Sequence, residues 1–267
     1  MLNLARGLLL ILLLSSGSAR AFDHAYLGYT GLLQRQVAWL PGGHASTVDY
    51  QGLQQEKTTL LRELQQFSAV GPGDFEGWTR PRQMAFLINA YNAFTLQLIL
   101  SQYPALESIR DLGSLLRSPW KKPFFRLLGE ERTLDWIEHQ QLRPRYRDAR
   151  VHFAVNCASI GCPALRPEPY QAERLDAQLD DQQRRFLSDR SRNRFDASTA
   201  TLKVSMIFKW YDEDFVTPSG GTQAWLASHA ALLADMPAEQ ARIASGTFKV
   251  DYRPYDWRLN DRRLSRQ

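Results

Sequence analysis

The chain has 267 residues, with 33 lysines and arginines against 28 aspartates and glutamates, and only two cysteines. Its formal charge of +5 is a mild excess with the two signs interspersed, which argues against a protein that tracks nucleic-acid phosphates. The length suits one large domain with a sizeable core, and no repeat, low-complexity tract or Gly/Ser linker divides it.

The first residues, "MLNLARGLLLILLLSSGSARA", place Arg6 before an apolar run, Gly7–Leu14, and end in Ala19-Arg20-Ala21. A basic start, a short apolar core and small residues at the A-x-A positions are the pattern of a secretory signal peptide. The apolar run is too short to span a bilayer, which takes roughly 20 residues. Residues 1–21 are therefore expected to be removed, leaving 22–267 as a single globular domain, periplasmic or secreted, with no stable membrane anchor.

Further on, Leu53, Leu60, Leu61, Leu64 and Phe67 recur at helical spacing and predict an amphipathic helix over Asp49–Phe67. "VGPGDFEGW" breaks it. Thr79 can cap the next helix, with Pro81 in its first turn and Pro104 beyond its end. This helix, through "RQMAFLINAYNAFTLQLILSQY", is apolar nearly all round and should cross the core. Asn89 and Asn92 make a polar stripe on it, and such amides either bond a neighbouring backbone or face a pocket.

"SPWKKPFFRLLG" could hold a short strand, and Thr133 caps a helix over "LDWIEHQQLR". "RVHFAVN" reads as the clearest strand, with β-branched and aromatic residues between polar turns. "AERLDAQLDDQQRRFL" is helical, "RFDAST" and "ATLKVS" form a hairpin, and "IFKWYDEDF" brings aromatics close to carboxylates. A helix through "TQAWLASHAALLAD" and a strand in "FKVDYRPYDWRLN" complete the order. The expectation is an α+β fold: helix-rich, one small mainly antiparallel sheet, and a buried central helix.

Cys157 and Cys162 leave three readings open: a disulfide, a free catalytic or redox thiol, or inert packing. An oxidising compartment favours pairing, while His152, five residues upstream of Cys157, favours a nucleophile. If 151–156 is a strand, alternation turns His152 away from Cys157 and toward the Asn92 side of the core helix. Four intervening residues match no common zinc spacing, so no metal is expected, and no cofactor.

The ordered motifs "FLINAYNAFTLQLIL", "RTLDWIEHQQLR", "VHFAVNCASIGCPALRPEPY", "SMIFKWYDEDF" and "YDWRLN" resemble the family catalogued as domain of unknown function 547. The resemblance runs from about residue 84 to 260. Bacterial members of that family look like secreted single-domain proteins of this size. Its recurrent positions carry over to Asn89, Tyr91 and Asn92, to Glu138 and His139, to His152, Cys157, Ser159 and Pro163, and to Phe208, Lys209 and Trp210.

Two functional readings follow. In the first, the protein is a thiol-dependent hydrolase or acyltransferase acting on an amide or ester. Cys157 is its nucleophile, His152 or His139 its base, and Asn92 or Asp212 orients that base. In the second, it is a non-catalytic binding or assembly module. There Cys157–Cys162 is a disulfide staple, and Asn89, Glu138, Ser159, Lys209, Trp210 and Asp212 contribute to a recognition pocket. The partner in either case is an unidentified substrate or envelope protein.

Overall fold

In the computed structural model, which describes residues 21–114, 117–218 and 220–264, the chain opens with helix α1 (Leu27–Gln36) and the hairpin β1 (Val37–Trp39) and β2 (Ser46–Val48). The expected signal peptide, apart from Ala21, lies outside the described residues. The helix expected over Asp49–Phe67 is two helices, α2 (Tyr50–Gln55) and α3 (Lys57–Ala69). Asp49 caps the first by accepting the Gly52 N–H at 2.8 Å. Glu56 leaves helical geometry at φ −95° and ψ 18°, and its carboxylate is taken by Arg35 and Gln36.

After α4 (Pro72–Glu76), α5 (Arg80–Leu100) runs through the middle of the core, and every residue from Gln83 to Leu96 is buried. Thr79 stands at its N-cap without a side-chain cap bond, and Pro81 sits in the first turn, where a missing N–H costs nothing. Next come β3 (Phe125–Leu127) and β4 (Glu130–Arg132), an antiparallel hairpin. Thr133 Oγ1 then accepts the Trp136 N–H at 2.9 Å. The segment it opens, Trp136–Leu142, is π-helical and leads into α6 (Arg143–Tyr146). Such π turns are rare and often mark functional sites.

The strand expected in "RVHFAVN" is not formed: Val151–Ala154 is a helical turn, α7, and the chain becomes extended only at Val155. The turn is fixed from outside. Arg150 binds Asp148, Asp176 and Asp180, tying its start to the following helix. All four residues of the turn are buried, so packing overrides the β preference of Val151 and Phe153. With the strand goes the alternation argument that turned His152 away from Cys157.

The remainder is α8 (Leu175–Leu187), β5 (Arg194–Asp196), β6 (Thr201–Ser205), α9 (Ile207–Trp210), α10 (Thr222–Ser228), α11 (Ala230–Leu233), α12 (Pro237–Ala244) and β7 (Lys249–Arg253). Strands β5 and β6 form the expected hairpin, but β7 joins β6 in parallel. The fold is α+β, and among the described residues the short strands form three small sheets rather than one. Beyond β7 the chain returns to the interior: the Asn260 N–H donates to Ala158 O, and the Val48 N–H donates to Asn260 O.

The buried apolar residues form two clusters. One surrounds α5; the other is built on Phe153, Phe186, Phe208, Phe215 and Trp225. The segment from α7 to Leu165 passes between them, since Phe153 belongs to the second cluster and Val155, Ala158 and Leu165 to the first. Among the described residues no helix is long and apolar enough to cross a membrane.

Candidate functional site

The two asparagines of α5 hold the ends of one segment. Asn92 donates from Nδ2 to Ala154 O at 3.1 Å and accepts the Asn156 N–H at 2.8 Å. Asn89 does the same for Tyr170, donating to its carbonyl and accepting its N–H, both at 2.8 Å. Asn156 then folds the loop between them: its Nδ2 donates to Pro163 O and its Oδ1 accepts the Ala158 N–H. Four side-chain amide bonds therefore fix residues 154–170 against the core helix. They satisfy the polar atoms that the burial of two asparagines would otherwise strand.

The cysteines lie in this clamped loop and are bonded to one another. Cys162 is buried at 2% exposure, whereas Cys157 is partly open. The Tyr255 hydroxyl lies 3.3 Å from Cys157 Sγ and donates to Cys162 Sγ at 3.2 Å. Both sulfurs border a cavity of about 230 Å³, whose wall also includes His139, His152, Glu138 and Asp135.

His152 is the most constrained group in that wall. Its Nε2 is 2.7 Å from Asp214 Oδ2, its ring packs on Tyr211 with centroids 4.0 Å apart, and its Nδ1 is buried without a hydrogen-bond partner. A carboxylate accepts, so Nε2 carries the proton and Nδ1 of the neutral ring keeps its lone pair. Burial would raise the Asp214 carboxyl, but the hydrogen bonds from His152 and Arg143 outweigh it and hold it at about 2. Arg143 donates to Asp214 at 2.5 Å, to Glu213 at 2.6 Å and to His139 Nδ1 at 2.9 Å.

Glu138 sits on the π-helical segment at 4% exposure. The nearby Tyr91 and Tyr211 hydroxyls are pushed well above the usual tyrosine range, first by burial and then by the negative charge of Glu138. The cavity wall also holds an aromatic cluster, with Trp210, Tyr255 and Trp257 in mutual contact at ring separations of 4.5 to 5.6 Å.

A family model described as "Protein of unknown function, DUF547" matches residues 75–187, which carry α5, the π-helical segment and the whole clamped loop. Over that stretch the chain is similar to the DUF547 family. No curated protein and no solved structure matches it. The DUF547 match ends before Ile207, Trp210, Tyr211, Tyr255 and Trp257, so part of the cavity wall is contributed from outside the matched region.

The expected residues separate into groups. His139, His152, Cys157, Glu138 and Trp210 meet at the cavity. Asn89 and Asn92 do not line it; they hold backbone. Ser159 is buried within the loop, and Lys209 lies over the Tyr252 ring, 5.6 Å away. The group that holds His152 is the Asp214 carboxylate, not Asp212 and not the Asn92 amide. Sequence reading placed Asp214 inside "FKWYDEDF" without choosing it among the three acids. Tyr211 and Tyr255 carried no periodic signal and were missed. Among the described residues no group of three or more metal-ligating side chains occurs.

Proposed function

We propose that the cavity is an acyl-transfer site, hydrolysing or transferring an amide or ester, with Cys157 as nucleophile once a dithiol reductant has opened the disulfide. The observation that carries this reading is that His152, whose Nδ1 has no hydrogen-bond partner, lines the same cavity as Cys157 and Cys162. An imidazole whose other nitrogen is held by a carboxylate is the arrangement that activates a thiol. Cys157 rather than Cys162 is the nucleophile because it is the more open of the two.

The chemistry balances as follows. The dithiol is oxidised as the Cys157–Cys162 bond is reduced to two thiols. His152 Nδ1 takes the Cys157 proton, and the thiolate adds to the acyl carbon. The amine or alcohol leaves with that proton, giving a thioester. His152 then deprotonates water or an acceptor, which releases the acyl group and returns the thiolate. The leader ending at Ala21 supports export as the setting, where a thiol–disulfide equilibrium would gate the site; an intact mass beginning at Phe22 in exported protein tests that step.

Hydrolysis of p-nitrophenyl acetate by the reduced protein, the oxidised protein and Cys157→Ser tests the reading. Turnover confined to the reduced wild type supports it. Equal background rates in all three refute it and leave the second reading, a binding module with a permanent staple. That second reading is favoured by the disulfide itself and by the Tyr255 hydroxyl packed against both its sulfurs.

A further inference from the structure

Glu138 is a carboxylate at 4% exposure, and among the described residues it forms no ion pair with lysine, arginine or histidine. The nearest guanidinium along its segment, that of Arg143, is already engaged by Asp214, Glu213 and His139. A buried charge normally has a counter-charge, because leaving water without one is costly. The two tyrosine hydroxyls near Glu138 supply no positive charge.

The cavity around it shows the same imbalance. In a chain with a net charge of +5, no described lysine or arginine lines this wall, while Asp135 and Glu138 both do. The same cavity is lined by the rings of Trp120, Trp210, Tyr255 and Trp257. Aromatic faces attract cations through the ring quadrupole, most strongly when water is excluded, and tryptophan is the best of them. Trp210 remains 42% exposed, so a large apolar ring is left uncovered at the edge of the site. At about 230 Å³ the space falls below the ~300–1,000 Å³ of pockets for drug-sized ligands and suits a head group rather than a whole chain.

We infer that this cavity recognises an alkylammonium group, whose positive nitrogen sits between Glu138 and the Trp210–Tyr255–Trp257 wall. It names the ligand class for the site proposed above and rests on the same cavity, but not on the thiol chemistry. The substrate on that combined account is an amine-bearing ester or amide.

The test uses the disulfide form, in which no thiolate exists, so binding and catalysis fail separately. Choline, n-butylammonium and the neutral choline isostere 3,3-dimethylbutan-1-ol are titrated while tryptophan fluorescence and calorimetric heat are followed. At least one cation should bind roughly tenfold or more tightly than the neutral isostere. Glu138→Gln should abolish that preference, and Trp210→Leu, which leaves every charge in place, should weaken cation binding. Equal or tighter binding of the isostere overturns the inference. So does cation binding unchanged in both variants, each shown to be folded by its melting curve.

Discussion

The His152 imidazole and the Asp214 carboxylate meet at 2.7 Å, although 62 positions separate them in the chain. The pair joins α7, inside the DUF547 match, to the turn after α9, outside it. It also fixes the ring so that its unprotonated nitrogen is the one left without a partner.

Replacing His152 by Gln should lower turnover by the reduced protein about 10²–10⁴-fold, the usual worth of a positioned general base. Asp214→Asn should lower it too, with a shift in the pH–rate profile as the imidazole loses its orienting charge. The measurement is kcat/KM against pH for both variants. An unchanged profile in Asp214→Asn would remove that residue from the mechanism.

Asp214 also links stability to pH. Its carboxyl is held at about 2 in the folded protein, below the ordinary value near 3.9. A depressed carboxyl contributes stability that is complete above the unfolded value and is lost as pH falls through the folded one. With solvent screening of a partly exposed side chain allowed for, the contribution is about 1 kcal/mol. Urea midpoints measured between pH 5 and 2 should fall less steeply for Asp214→Asn than for wild type.

Asn92→Leu should destabilise the protein by about 2–4 kcal/mol, because the Ala154 carbonyl and the Asn156 N–H are both left buried without partners. Asn89→Leu does the same at Tyr170. Since the two amides pin one segment, the double variant should lose less than the sum of the singles. Strict additivity in thermal or urea melts would show the two clamps to be independent.

Gly161 approaches the Tyr255 ring so closely that an added Cβ would lie 2.9 Å from it. The ring cannot withdraw easily, since Trp210 and Trp257 pack against it. Gly161→Ala should cost about 1–3 kcal/mol through overpacking and should displace the hydroxyl from the disulfide. Slower reduction by dithiothreitol than in wild type would contradict that displacement, because a less shielded disulfide is reduced faster.

Much of this was legible in the sequence, for identifiable reasons. Helix α5 announced itself by a stretch apolar nearly all round, with a proline near its start and another after its end. The β5–β6 hairpin showed in two short strand patterns. The π-helical segment came through as an ordinary helix, because the Thr133 cap is visible in sequence and the π geometry is not. Val151–Ala154 misled because its β-branched and aromatic residues speak for a strand, while the forces that bend it come from Asp176 and Asp180 on α8. The choice of Asp214 over Asp212 depended on a 62-residue contact that no local pattern encodes.

The central claim is that reduction exposes an activated nucleophile at Cys157, and site-mapped labelling tests it directly. Protein treated with dithiothreitol is exposed to a limiting amount of iodoacetamide at pH 6, and the labelled cysteine is located by peptide mass. The account predicts fast labelling of Cys157 over Cys162, slowed to the rate of an ordinary thiol by His152→Gln and absent without reductant. Equal, slow labelling of both cysteines in wild type and variant alike would contradict it.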